Sequence, residues 1–143
     1  MKPTLVPGLV HELSFVVSET KLVPALYPES PDFLSMPPVF ATGYLVGFLE
    51  WACLLLSKPH LDWPSEQTVG TRIEVTHEAA TPAGFVVTAR AHLTEVAGRR
   101  LVFAVEAHDG VDIIARGTHE RMVIARERFD AKLAAKAAAR PRT

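Results

Sequence analysis

The chain has little cysteine, little net charge and no long apolar run. A single cysteine among 143 residues, Cys53, excludes an internal disulfide and favours a cytoplasmic protein. A formal net charge of −1 provides no broad basic field, so nucleic acid is not expected as a partner. Residues 1–13 lack the continuous apolar core of a secretory signal. We therefore expect a cytoplasmic globular protein that does not bind nucleic acid.

The longest apolar run, GYLVGFLEWACLLL, spans Gly43 to Leu56 and is interrupted by Glu50. It falls short of the roughly 20 residues that a membrane-spanning helix needs, so no membrane association is expected. A chain of 143 residues, 48% of them hydrophobic, is long enough for one domain with a real core. We expect a single domain over residues 1–143.

Local patterns predict the order of the elements. His11–Ser18 is typical of a strand. Residues 19–39 contain five prolines, which indicates a loop that can act as a lid segment. Phe40–Ser57 is typical of one long helix, which the Thr42 side chain can cap. From residue 67 the apolar period becomes two, which indicates four antiparallel strands at 68–79, 85–95, 99–108 and 111–126. Gly98 and Asp109-Gly110 mark the turns between them, and residues 127–143 suit a surface helix and tail.

This order predicts an α+β fold in which an antiparallel sheet wraps around one long helix. A helix apolar on every side is expected to be fully buried, with cover from the sheet and from a second subunit. Glu50 in its middle therefore needs a partner, because an unpaired carboxylate out of water is costly. Two interpretations of Glu50 remain open: a structural glutamate bonded to a neighbour, or a catalytic one. Cys53 is expected to be a core residue.

Five segments carry a closer resemblance: LYPESPDF, VFATGYLVGFLEWAC, VGTRIEVTHEAATPAG, EVAGRRLVFAVEAHDGVD and GTHERMVI. Together they resemble the fluoroacetyl-CoA thioesterases, a family with the hotdog fold, over about residues 26–124. The resemblance implies a homodimer, an acyl-CoA substrate that is hydrolysed to free acid and CoA, and no metal or redox cofactor.

The resemblance also implies the site residues. The family's catalytic threonine, glutamate and histidine correspond to Thr42, Glu50 and His77. Its glycine near the thioester carbonyl corresponds to Gly70, and its site arginine to Arg121. The histidine two residues before that arginine shares its alternation, which leaves open whether it lines the site, solvent or a dimer interface.

Thioester hydrolysis needs a nucleophile, proton transfer and donors for the oxyanion. The helix start at Thr42 and Gly43 can supply backbone N–H donors. Glu50 is expected to be the nucleophile or general base, His77 the general acid or base, and Thr42 the hydroxyl that orients Glu50 and the carbonyl. Glu50 lies about 12 Å along the helix from Thr42, so the two can border one pocket without touching. His77, on the strand face expected to meet the helix, is predicted to reach the neighbourhood of Glu50. Without the resemblance, a core histidine and a simple helix cap remain alternatives for His77 and Thr42.

The lid departs from the family pattern. Phe33 is retained, but Met36 stands where the family has a second phenylalanine that gates the acyl pocket. Because methionine is flexible, a looser pocket is expected, and acetyl-CoA or other small acyl-CoAs remain alternative substrates. Two other functions stay open as alternatives: a hotdog enoyl-CoA hydratase, whose characteristic segment is not found, and a non-catalytic acyl-CoA-binding module, which usually carries a separate DNA-binding segment.

Overall fold

A computed structural model describes residues 1–142 of the chain. Short 3-10 turns at Glu19–Lys21, Val23–Ala25 and Lys58–His60 connect the regular elements. Those elements, in chain order, are β1 (Val10–Val16), α1 (Pro31–Leu34), α2 (Thr42–Ser57), β2 (Glu66–Val75), β3 (Val86–Ala97), β4 (Arg100–His108), β5 (Ile113–Ala125) and α3 (Arg126–Ala138).

The five strands form one antiparallel sheet in the order β1-β3-β4-β5-β2, and α2 packs against β1, β2, β3 and β4. The predicted alternation is confirmed on β4 and on β3 as far as Leu93, where every second residue is buried. Gly98, with a φ of +62°, makes the turn between β3 and β4 as predicted. The α+β sheet wrapped around one long helix is therefore the hotdog arrangement that the sequence predicts.

Helix α2 differs from its prediction in two ways. It begins at Thr42 instead of Phe40, because Phe40 is extended and bridges Leu22. It is also not fully buried: Gly43, Gly47 and Trp51 are exposed along one side. The sheet curls around only the opposite side of the helix, which carries its buried residues Leu45, Phe48, Leu49, Ala52, Cys53, Leu56 and Ser57. Residues 1–142 of a single chain thus leave one face of α2 uncovered.

The proline-rich segment 19–39 is anchored to the body at two isolated bridges, Leu22 to Phe40 and Val39 to Pro82. Within it, the Ser30 hydroxyl accepts a hydrogen bond from the Phe33 amide and caps the single turn of α1. The ring of Phe33 stacks on Tyr27, with ring centroids 5.7 Å apart. The segment therefore lies next to the start of α2, where a lid over that end would have to be.

The C-terminal helix predicted within residues 127–143 is α3, which begins at Arg126 and ends at Ala138. The last residue of that range, Thr143, lies outside the described residues. Among residues 1–142, no helix is long and apolar enough to cross a membrane.

Candidate functional site

Glu50 has the partner that its position demands. Its Oε1 accepts a hydrogen bond from Nη1 of Arg121 at 3.2 Å, and the two form an ion pair. The Glu50 side chain is 40% exposed, so the expectation of a carboxylate enclosed on all sides is wrong: Glu50 points toward the uncovered face of α2. Cys53, one turn along, is buried in the core as predicted, and burial raises the pKa of its thiol to about 12.

Arg121 is buried and held on several sides. Its Nε donates to the Thr68 hydroxyl at 2.8 Å, and its Nη2 donates to the Thr68 carbonyl at 2.9 Å. Burial lowers the pKa of Arg121, and the nearby Glu50 carboxylate opposes that shift. With Nε and Nη2 engaged by Thr68, the Nη1 end is the part of the guanidinium directed at Glu50.

A histidine that the sequence left undecided belongs to the same group. His119 is 2% exposed, and its Nε2 lies 3.1 Å from Arg121 Nη1 and 3.8 Å from Glu50 Oε1. Burial lowers its pKa, an effect that the Arg72 carbonyl opposes. The sequence signal for this residue was its alternation with Arg121 on one strand, which places both on the side of the sheet facing α2.

Gly70 provides the space for the Glu50 carboxylate. A Cβ at this position would lie 2.5 Å from Glu50 Oε1 and 3.2 Å from His119 Cε1. Gly70 pairs with Arg121 across β2 and β5, and a β-bulge follows it before Arg72. The structure therefore requires a glycine at position 70, because any side chain there would displace the Glu50 carboxylate.

Thr42 and His77 form a separate pair at the start of α2. A hydrogen bond of 2.7 Å joins Thr42 Oγ1 to His77 Nδ1. The N-cap residue is Ala41, and its side chain makes no capping bond, so the prediction that Thr42 caps the helix is wrong. The threonine hydroxyl is engaged by a histidine instead.

His77 lies beyond the end of β2 at Val75, not on the strand itself. Its Nε2 is buried and has no hydrogen-bond partner within residues 1–142. Burial lowers the pKa of His77, and the backbone carbonyl of Ala79 opposes the shift. A buried ring nitrogen without a partner is uncommon in proteins and needs an explanation in the function or assembly of the protein.

The predicted contact between His77 and Glu50 is not present. Across the described part of the chain, the hydrogen bonds and ion pairs of Glu50 involve Arg121 and His119, and the side-chain bond of His77 is to Thr42. Eight residues of helix separate Thr42 from Glu50, about 12 Å along the axis. One chain therefore presents two polar groups, the Thr42–His77 pair and the Glu50–Arg121–His119 cluster.

Of the remaining predicted site residues, Gly43 lies in the first turn of α2, whereas Phe33 and Met36 lie in the proline-rich segment 19–39. Gly43 faces Leu26 of the lid, whose Cδ1 would be 3.2 Å from a Cβ at position 43. Phe33 stacks on Tyr27, and Met36 is 49% exposed one helical turn after Phe33.

A cleft of about 260 Å³ adjoins Glu50, Gly70 and His119. Its other lining residues are Val46, Thr71, Arg72 and Ile73.

Comparison with known proteins decides the family. The model of the fluoroacetyl-CoA-specific thioesterase family matches residues 26–127, a range that contains both polar groups. The chain belongs to this family. A curated fluoroacetyl-CoA thioesterase from Streptantibioticus cattleyicolor is 56% identical over 119 residues, which cover 83% of this chain and 85% of that protein.

Solved structures of the fluoroacetyl-CoA-specific thioesterase FlK have the same fold. A mutant in complex with fluoroacetate has a TM-score of 0.89 and 52% identity, and the match covers 92% of this chain and 98% of that one. Another mutant, in complex with fluoroacetate and CoA, has a TM-score of 0.85 and 53% identity over 87% and 99% of the two chains. This member of the family is accordingly an acyl-CoA thioesterase with a hotdog fold.

Proposed function

We propose that this protein hydrolyses fluoroacetyl-CoA to fluoroacetate and CoA, and that Thr42, Glu50 and His77 are its catalytic residues. The observation that carries the proposal is the family match over residues 26–127, which includes both polar groups. The reaction consumes one water: the thioester C–S bond breaks, a C–O bond to the acyl carbon forms, and the sulfur leaves as the thiol of CoA.

Glu50 is the group that forms or prepares the new C–O bond. Its carboxylate either attacks the acyl carbon directly or takes the proton of an attacking water. The exposed side of the carboxylate faces the cleft, while Arg121 holds Oε1 from the protein side. This arrangement orients the carboxylate toward the cleft and places a buried positive charge beside it.

The Thr42–His77 pair handles the proton and the oxyanion. When Nδ1 donates to the Thr42 hydroxyl, Nε2, the nitrogen without a partner in the described chain, is free to accept a proton. Nε2 takes up the proton that the attacking water loses, directly or through Glu50, and the imidazolium passes a proton to the leaving sulfur, so the ring ends neutral. The backbone N–H of Gly43, in the first turn of α2, is available to the carbonyl oxygen as it becomes negative.

We also propose that the enzyme is a homodimer whose active site combines the Glu50 cluster of one subunit with the Thr42–His77 pair of the other. Within one chain the two groups are about 12 Å apart along α2, more than a single thioester carbonyl can bridge. The uncovered face of α2 and the exposed half of the edge strand β2, residues 70–74, adjoin the Glu50 cluster. A second copy on this surface would cover both and complete the site.

Mixing two inactive variants tests the shared site. Glu50→Gln and His77→Asn homodimers should each be nearly inactive. After subunit exchange, about half of the dimers are mixed and each has one intact site, so about a quarter of the wild-type activity should return. No recovery in a mixture shown to contain mixed dimers would mean that each site is built within one chain. Only monomers in sedimentation at micromolar concentration would overturn the homodimer itself.

The acyl group is tested with a panel of acyl-CoA esters and thiol release as the readout. Fluoroacetyl-CoA should be hydrolysed with the highest kcat/KM, ahead of acetyl-CoA and longer acyl groups. Tight binding of CoA esters without thiol release from any of them would identify a binding module instead.

Because the polar groups named above provide all the required chemistry, we propose that no cofactor is needed. Dialysis against a chelator should therefore leave kcat unchanged.

The lone cysteine, Cys53, is buried and unpaired, which supports our proposal of a cytoplasmic location. Fractionation of cells that produce the full chain, with thioesterase activity as the readout, tests that location.

A further inference from the structure

We propose that His119 is a positioning residue. It accepts a hydrogen bond from Nη1 of Arg121 and so holds the guanidinium with Nη1 directed at the Glu50 carboxylate. This inference rests on the proposed thioesterase activity of the site. Its geometric basis is that His119 contacts Arg121 directly while its side chain is almost completely buried.

The protonation of His119 follows from its two neighbours. Arginine has only N–H donors, so the 3.1 Å contact between Arg121 Nη1 and His119 Nε2 requires Nε2 to be the acceptor. The neutral ring then carries its proton on Nδ1, and Nδ1 donates to the Arg72 carbonyl at 2.8 Å. Each bond requires the same tautomer, so the ring is held in one state from both ends.

The Arg72 carbonyl is available because of the β-bulge in β2. The pairing of β2 with β5 shifts between Gly70 and Arg72, so that Arg72 opposes Glu120 and Ile73 opposes His119. The His119 ring also stacks on Phe103, with ring centroids 6.4 Å apart. His119 is therefore fixed by a bond at each nitrogen and by packing against an aromatic ring.

This matters for Glu50 because Nη1 has two N–H groups. One is directed at Glu50 Oε1 at 3.2 Å and the other at His119 Nε2. With Nε and Nη2 bound to Thr68, the acceptor on His119 satisfies the second Nη1 proton, which would otherwise compete for the carboxylate or be left unpaired. Loss of the acceptor should misplace Nη1 and with it the carboxylate that reacts.

The matched pair His119→Gln and His119→Asn tests this role. Both introduce an amide, but only the longer glutamine can present an oxygen near the position of Nε2. We expect His119→Gln to retain kcat within about threefold, and His119→Asn to lose about tenfold or more in kcat with little change in KM, the scale of a small misplacement of a reacting group. Equal kcat in the two folded variants would overturn the proposal. If the asparagine variant does not fold, His119→Phe, which keeps the ring packing but has no acceptor, takes its place and should show the same loss.

A second measurement separates positioning from general damage. In an Arg121→Lys background, the difference in kcat between the glutamine and asparagine variants should disappear, because His119 acts only through the guanidinium. A difference that persists would overturn the proposal. The ¹⁵N shifts of the His119 ring in the wild-type protein should show a protonated Nδ1 and an unprotonated Nε2, and the opposite tautomer would also overturn it. Wild-type hydrolysis of fluoroacetyl-CoA is measured first, so that absence of the activity is distinguished from failure of this inference.

Discussion

The Thr42–His77 pair and the Glu50–Arg121–His119 cluster lie along the same helix but differ in construction. The pair lies at the exposed start of α2, carries no fixed charge and leaves one buried ring nitrogen without a partner in the described chain. The cluster joins a half-exposed carboxylate to a buried guanidinium that makes four contacts, two of them to Thr68.

The difference suits the two tasks that we propose for these groups in one reaction. A threonine–histidine pair can accept and donate a proton in turn, and burial lowers the pKa of its histidine. A carboxylate held by a buried arginine is oriented before substrate arrives. Changes to the cluster should therefore reduce the rate through charge and position, whereas changes to the lid should alter only selectivity.

Replacing the carboxylate should have the largest effect. Glu50→Gln keeps the volume and removes the charge that attacks the thioester or activates water, so kcat should fall by ~10² or more. Thiol release from fluoroacetyl-CoA measures this, and circular dichroism shows whether the fold is kept. The matched control is Glu127→Gln, an exposed glutamate in the first turn of α3 that should leave kcat unchanged. Near-normal turnover of Glu50→Gln would make Glu50 a structural residue.

The sequence predicts the elements better than it predicts which side chains meet. Alternation on β3 and β4 is a local property that the sheet preserves, so these strands and their buried faces are predicted correctly. The partner of Glu50 is 71 residues away on β5, and the contact depends on β2 lying beside β5 at the sheet edge. The family resemblance supplied Arg121, but nothing in the local pattern decided whether its neighbour His119 would be exposed or buried.

His77 shows where period-two reasoning fails. The prediction extended the strand to residue 79 and so placed His77 on the face toward Glu50. The strand ends at Val75, and beyond a strand end alternation no longer determines where a side chain lies. The prediction that α2 is fully buried was wrong for a related reason. Composition indicates that an apolar face must be covered, but it does not indicate whether the sheet or a second copy of the chain covers it.

A methyl group at Gly70 should have the next largest effect. In Gly70→Ala the new Cβ would lie 2.5 Å from Glu50 Oε1, so the carboxylate must move away from its position beside Arg121. We expect kcat to fall by roughly tenfold to a hundredfold, because small displacements of a reacting group are costly. In a Glu50→Gln background the same substitution should have much less effect on kcat. A full additional loss in that background would show that Gly70 acts by another route, such as direct contact with substrate.

The half-buried His77 and the buried His119 should make stability depend on pH. Burial lowers the pKa of both His77 and His119 below the ordinary value of 6.5, so the unfolded chain takes up protons first as the pH falls. The free energy of unfolding should therefore be largest above about pH 6.5 and fall as the pH drops from there toward the folded-state pKa values. Urea unfolding at pH 7.5, 6.5 and 5.5 measures this.

The variant His119→Gln removes one of the two groups. The slope of the unfolding free energy against pH should therefore become shallower by up to ~1.4 kcal/mol per pH unit. An equally steep dependence in that variant would mean that His119 does not titrate differently in the two states.

The smallest effect should come from the lid, and it should appear in selectivity alone. Met36 is half-exposed one turn after Phe33, whose ring stacks on Tyr27. Met36→Phe places a third ring beside this stack, and an aromatic pair is worth about 0.5–1.5 kcal/mol beyond the area it buries, roughly 2- to 10-fold in a rate ratio. A more rigid lid should favour the small fluoroacetyl group, so the ratio of kcat/KM for fluoroacetyl-CoA over acetyl-CoA should rise by that factor.

Both substrates are measured on the wild-type protein and on Met36→Phe, since a change in stability or general activity moves the two rates together and leaves the ratio unchanged. If the ratio stays constant or falls, residue 36 does not gate the acyl pocket, and discrimination between the two substrates must arise beside Glu50 and the Thr42–His77 pair.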